Sequence, residues 1–370
     1  MRYYIIAGEA SGDLHGSNLI KAIKAKDTNA VIQCWGGDLM QAAGGHLVKH
    51  YRSLAFMGFV EVLMNLRTIL SNIKFCKQDI DAFSPDVLIC IDYPGFNLRI
   101  AKWAKAKGLK VIYFIAPQVW AWKENRVPSM RASIDRLLCI LPFEKQYFKD
   151  RWNWEVDYIG HPLMQVLADQ HNLAHPLPAL SNEKIIALLP GSRKQEIIKK
   201  LPAMLSVINA FPNYHFAIAQ APGLEDDWFS ALVPKHKQVH IVKGNTYALL
   251  NHSVAALVTS GTATLETALL GVPEIVCYKG NPITLALAKR FVKIKFIALV
   301  NLIMNKEVVK ELIQEHLNTQ NLVHELGLLL NNEEKKKQIK TDYAQLKNNL
   351  YTGKSATTVA AEIILEELSN

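Results

Sequence analysis

A chain of 370 residues is too long for one ordinary hydrophobic core, so two domains are expected. Half of the residues are hydrophobic and a fifth are charged, which are globular values that exclude a disordered chain. The formal net charge of +9 favours anionic partners in general, without choosing among nucleic acid, acidic lipid and phosphorylated substrate.

The N-terminus, Met1-Arg2-Tyr3-Tyr4-Ile5-Ile6-Ala7-Gly8, enters a strand at once and has no long apolar h-region, so no signal peptide is expected. No uninterrupted apolar stretch reaches the length of a transmembrane helix. A cytoplasmic protein is expected, still free to sit on a membrane surface. Apolar runs at 3–7, 31–35, 87–92, 111–115 and 137–141 read as buried strands, with helical patterns at 14–26, 60–83 and 98–107 between them. The pattern restarts with strands at 185–189, 215–219, 239–242, 255–258 and 274–278, and past Pro282 the chain reads as mostly helical. Strand and helix alternating in series predicts an α/β fold of two Rossmann-like, doubly wound parallel sheets facing a cleft. The irregular stretch after Gly160-His161-Pro162 predicts domains at 1–162 and 163–345. Residues 346–370 are then a C-terminal helix that packs back on the first domain or exchanges in a dimer. The five cysteines are scattered without a CxxC pair and read as small buried hydrophobes in a reducing compartment.

Ligands of such sheets gather at the carboxyl ends of the strands, and the motifs fall there. Gly8-Glu9-Ala10-Ser11-Gly12-Asp13 follows the first strand. Its G-x-x-x-G spacing is not the dinucleotide fingerprint. Its glycines permit close approach of a ligand, while Ser11 or Asp13 would equally serve as a helix cap. Asp92 ends a strand before Tyr93-Pro94-Gly95. It reads either as a base for an attacking hydroxyl or as a turn residue. Gln118, Trp120 and Trp122 occupy a loop suited to sugar or acyl contact, or to plugging a domain interface. Gly191, Ser192 and Arg193 follow the first strand of the second half, where two backbone amides and a guanidinium suit a phosphate. Ser260, Gly261 and Thr262 open a helix whose free N–H groups suit an anion, with Glu266 one turn in, placed for a ribose or for a capping box.

The segment carrying Phe56, Met57, Phe59, Val60, Val62, Leu63 and Leu66 has more apolar residues than one core face needs. With Arg67, Lys74 and Lys77 nearby it reads as a membrane-contacting stripe or as a helix buried on two sides. Asp79-Ile80-Asp81 has metal-site D-x-D spacing, but inside a predicted helix, and reads as a solvated face. No metal or cofactor is therefore invoked.

In combination these residues resemble the lipid-A-disaccharide synthase family. The resemblance runs through 8–13, 54–63, 91–97, Trp120-Ala121-Trp122, Leu141-Pro142-Phe143-Glu144, Gly160-His161, 188–193 and 260–266. It ends with Ala288-Lys289-Arg290 and Val300-Asn301-Leu302. Where the family has an acidic residue after the proline of the 91–97 stretch, this chain has Gly95, which leaves Asp92 as its acid. The resemblance implies an inverting glycosyltransferase of GT-B type. The substrates implied are UDP-2,3-diacylglucosamine and 2,3-diacylglucosamine 1-phosphate, and the products are a β-1,6-linked disaccharide phosphate and UDP, in lipopolysaccharide biosynthesis. It also implies a peripheral enzyme on the inner face of a Gram-negative inner membrane, and a homodimer built by C-terminal exchange. Asp92 is then the base, Gly191 to Arg193 and Ser260 to Thr262 cradle UDP, and Glu266 holds the ribose. Glu9, Ser11, Gly12, Asp13, Gln118, Trp120 and Asn301 are further cleft candidates. Competing readings are a UDP-N-acetylglucosamine 2-epimerase, a peptidoglycan glycosyltransferase and a non-catalytic nucleotide binder. A nucleic-acid module is suggested only by charge and lacks any motif, so no nucleic-acid partner is expected.

Overall fold

The computed structural model describes residues 1–53, 66–171, 180, 183–280 and 295–369. The chain divides into two units, Met1–Met164 with Leu350–Asn370, and Gln165–Asn349.

The first unit is built on seven parallel strands. They are β1 (Arg2–Ala7), β2 (Val31–Gly36), β3 (His46–His50), β4 (Val87–Ile91), β5 (Lys110–Phe114), β6 (Arg136–Cys139) and β7 (Asp157–Tyr158). Their order is β3-β2-β1-β4-β5-β6-β7. The central strands are apolar along their whole length because helices cover both faces of the sheet: every residue of β4, and Tyr3 to Ala7 of β1, is buried. On one face Leu19, Ile20 and Ile23 of the helix Ala10–Lys26 pack with Ala360, Ala361 and Ile364 of the helix Ala356–Ser369. The last helix thus lies on the unit in which its own chain begins. On the other face Ile73, Cys76 and Ile80 of the helix Leu66–Phe83 join Ile100 and Ala104 of the helix Pro94–Ala106.

The second unit has six parallel strands. They are β8 (Ile185–Leu189), β9 (His215–Gln220), β10 (Val239–Lys243), β11 (Ser253–Thr259), β12 (Glu274–Tyr278) and β13 (Lys310–Ile313), in the order β10-β9-β8-β11-β12-β13. Three strands escaped the sequence reading: β3, β7 and β13. All five cysteines are buried and free of disulfides. Asp79 is not a solvated helix residue. Its carboxylate accepts from the Tyr4 hydroxyl and, at 2.9 Å, from the Gln33 amide, tying its helix to the sheet. Among the described residues no helix is long and apolar enough to cross a membrane. The stripe residues Phe56, Met57, Phe59, Val60, Val62 and Leu63 lie outside the described residues, and Leu66 opens the helix that follows.

Candidate functional site

Each sheet reverses its winding direction once, and the motif loops sit at those reversals. In the first unit β1 and β4 are neighbours, and their ends carry Gly8–Glu9 and Asp92. Asp92 and Tyr93 both take left-handed backbone angles, φ +43° and +48°. Such angles cost non-glycine residues about 1–3 kcal/mol each and persist only where neighbours enforce them. Here the enforcers are identifiable. The Asp92 carbonyl accepts from Asn97 Nδ2 at 2.8 Å and from the Tyr113 hydroxyl at 2.6 Å, and the Asp92 N–H donates to the Phe114 carbonyl at 3.1 Å. Asn97 and Tyr113 are both fully buried. The Tyr93 ring lies so close to Gly8 that a Cβ there would sit 2.3 Å from it.

The turn therefore presents a fixed Asp92 carboxyl. Burial, and secondarily the charge of Glu9, raise its pKa to about 6. A carboxylate so tuned is ionised at neutral pH and is a stronger base than an exposed aspartate.

In the second unit β8 and β11 are neighbours. The loops after them enclose a cavity of about 430 Å³, within the usual range for small-molecule sites. Gly191, Ser192, Arg193, Ser260, Gly261, Thr262 and Glu266 all line it. Gly191 has φ +116°, a backbone conformation that favours glycine, and its Cα lies beside the Glu196 carboxylate. Gly261, at φ +146°, precedes the helix Thr262–Leu269, whose N-cap makes no side-chain hydrogen bond. Arg193 is largely exposed, 3.5 Å from Glu196. Glu266 closes no capping box. Its Oε1 accepts from the Tyr247 hydroxyl at 2.8 Å, and burial raises its pKa. A larger cavity of about 710 Å³ runs along the edge strand β10. It holds none of the motif residues, and chemistry outweighs size in choosing between the two. Among the described residues no group of three metal-ligating side chains comes together.

A family model described as lipid-A-disaccharide synthetase matches residues 3–364. The chain belongs to the lipid-A-disaccharide synthetase family. Membership makes it an enzyme of lipid A disaccharide synthesis. One relative, the lipid-A-disaccharide synthase of Gluconobacter oxydans, is 36% identical over 98% of this chain and 89% of its own. Solved structures agree on the fold. The glycosyltransferase of kitacinnamycin superposes with a TM-score of 0.71, at 14% identity over 99% of each chain. The UDP-GlcNAc 2-epimerase from Neisseria meningitidis bound to UDP-GlcNAc gives 0.66, at 14% identity over 100% of each. These two show the two-domain glycosyltransferase fold and do not separate transferase from epimerase. The synthetase family match does.

Three residues read from sequence as cleft candidates have other work in this synthetase family member. Asp13 is buried. Its carboxylate accepts from the backbone N–H groups of Gly37 at 2.8 Å, Met40 at 3.0 Å and Leu39 at 3.2 Å, so it fixes the start of the short helix Asp38–Ala42. Asn301 is also buried. It accepts from Val308 N and Val309 N and donates to the Val309 carbonyl and Glu311 Oε1, which uses its whole amide as a strut between the helix Leu299–Met304 and β13. Trp120 donates to Glu144 at 3.0 Å and meets Phe143 edge-on, whereas Trp122 stays exposed with Lys123 over its ring. Gly12 packs against Ala7. Ser11 and Gln118 are exposed, and Glu9 is half-buried at the N-cap of its helix. Asn97 fell inside the 91–97 stretch without a role of its own, and Tyr113 was not singled out in sequence. The hint at Asn97 was a polar side chain at a position that helical spacing assigns to the core.

Proposed function

We propose that the chain transfers 2,3-diacylglucosamine from UDP to the 6-hydroxyl of 2,3-diacylglucosamine 1-phosphate, releasing UDP. The observation that carries the mechanism is the Asp92 carboxyl, held on an enforced turn with its pKa raised to about 6. The acceptor hydroxyl is a weak nucleophile, and Asp92 takes its proton as the bond to UDP breaks. One displacement inverts the anomeric carbon, so a single base suffices. Charge growing on the UDP oxygens is met by Arg193, the Gly191 and Ser192 amides and the N–H groups that open the helix Thr262–Leu269. Glu266, oriented by Tyr247, accepts from the ribose hydroxyls.

Purified protein in detergent, given both lipid substrates with and without EDTA, should yield disaccharide phosphate and UDP by mass spectrometry. Binding of UDP with no product would move the reading to another UDP-sugar enzyme or a non-catalytic binder. Arg193→Ala should weaken UDP binding by roughly ten- to a hundredfold, the worth of a charge-assisted hydrogen-bond pair. Calorimetry showing unchanged UDP affinity would remove Arg193 from the cradle.

We further propose that the protein works on the cytoplasmic face of a membrane. On the helix that continues the apolar stripe, Leu70 is 60% and Phe75 43% exposed, beside the exposed Arg67 and Lys74. Apolar residues flanked by cations suit an anionic lipid interface, where each well-placed cation contributes about 1 kcal/mol. Vesicles containing anionic lipid should co-sediment the protein, and Leu70→Ser with Phe75→Ser should reduce the bound fraction. Equal binding to purely zwitterionic vesicles would contradict the electrostatic part.

A further inference from the structure

One charged group at the nucleotide cavity is unused by the mechanism above. Lys200, in the helix Lys194–Leu205, is only 3% exposed. Its ammonium donates to Thr259 Oγ1 and lies 5.6 Å from the centre of the Tyr278 ring. Among the described residues no carboxylate comes within ion-pair distance of it. Glu196, one turn earlier, is its largest anionic influence, and that carboxylate pairs with Arg193 at 3.5 Å. A buried ammonium without a counter-charge is costly. It is tolerated where an anion arrives to complete it.

The place where that anion would arrive is marked by Thr259. This residue ends β11, is buried, and forms part of the wall of the 430 Å³ cavity. It also lies beside the other cradle loop, since a Cβ built on Gly191 would be 3.5 Å from Thr259 Cγ2. Oγ1 is occupied as an acceptor by Lys200, so the hydroxyl's own hydrogen is left to donate. A hydroxyl that accepts from a cation is polarised and becomes a better donor.

We propose that Lys200 and Thr259 form a buried relay that recognises the diphosphate of the nucleotide, with Lys200 as a positioning residue acting through the Thr259 hydroxyl. The relay rests on the reading of this cavity as the UDP site. It adds a specificity: the cavity distinguishes a nucleoside diphosphate from the uncharged nucleoside by a charge held beneath its floor, in addition to the exposed Arg193.

The test compares binding of UDP and uridine to the parent, Lys200→Met and Thr259→Val by calorimetry, with thermal unfolding of each ligand-free protein. Lys200→Met should lose on the order of tenfold or more in UDP affinity, while uridine affinity changes less than about twofold. Its melting temperature without ligand should not fall, because an uncompensated buried charge has been removed. Thr259→Val keeps the shape and loses the hydroxyl, and should show the same selective loss. Unchanged UDP affinity in either variant overturns the relay, and so does an equal loss of UDP and uridine, which would mark Lys200 as a packing residue. A parent that binds no UDP overturns the nucleotide reading and the relay together. A parent that binds UDP normally beside an unaffected Lys200→Met refutes the relay alone.

Discussion

Asp92→Asn should reduce turnover by about 10²- to 10⁴-fold, the range that general-base removal spans, with UDP affinity unchanged. The amide keeps the size and the turn, since the bonds from Asn97 and Tyr113 go to the Asp92 backbone carbonyl and not to its side chain. Only the proton acceptor is lost. In the parent the base must be ionised, so kcat/KM should fall tenfold per pH unit below about 6, the value that burial and Glu9 impose. Glu9→Gln removes the secondary influence and should move that acid limb to lower pH. The folding linkage has the opposite sign to the activity. A carboxyl whose pKa is raised by folding contributes stability that is fully present below its unfolded value of 3.8 and is lost as pH rises through about 6. At pH 8 Asp92→Asn should therefore melt no lower than the parent, which separates lost chemistry from lost structure. Near-normal turnover in Asp92→Asn would sink the assignment.

Glu274→Met should stabilise the second unit by about 1–3 kcal/mol at pH 8, the usual cost of a buried polar group left unsatisfied. Glu274 opens β12, is fully buried, and neither carboxyl oxygen has a hydrogen-bond partner among the described residues. Burial pushes its pKa well above the ordinary 4.5. By the same linkage, the protonated acid is tolerated below pH 4.5, and stability falls as pH rises and the buried group is pressed to ionise. Methionine has a similar unbranched length and no polar atom to satisfy. Thermal unfolding at pH 5 and pH 8 should show the variant gaining more at pH 8 and losing part of the parent's downward slope. A variant no more stable than the parent at pH 8 would mean that Glu274 has a partner that outweighs its burial.

The central strands were legible because burial on both faces disfavours polar residues, and β4, β8 and Tyr3 to Ala7 of β1 are continuous runs of buried residues for that reason. The three missed strands, β3, β7 and β13, are all at sheet edges. There one side of the strand is free, residues such as His46, Lys49 and Glu311 are admitted, and the apolar signal breaks up. The grouping of the Gly191 and Gly261 loops around one cavity was legible for a local reason. A strand end followed by glycine and small residues opens backbone N–H groups whatever surrounds it, and Gly191 and Gly261 carry that pattern. The structural bonds of Asp13 and Asn301 were not legible, because a polar side chain looks the same in sequence whether it faces a ligand or ties down a neighbouring backbone segment. The roles of Lys200, Asn97 and Tyr113 stayed hidden because they lie in what tertiary contact brings to them: a threonine 59 residues on for Lys200, and the Asp92 carbonyl for Asn97 and Tyr113.

The helix Ala356–Ser369 has a consequence for the order of events during synthesis. Its residues Ala360, Ala361 and Ile364 complete the core that Leu19, Ile20 and Ile23 begin. The unit that leaves the ribosome first is therefore finished last. At about 5–20 residues per second, the ribosome needs roughly 10–40 s to travel from residue 164 to residue 356, and for that interval one apolar face of the first sheet lacks part of its cover. A nascent chain stalled in the second half would carry this exposed face, which makes it a natural client for chaperones that hold unfinished proteins.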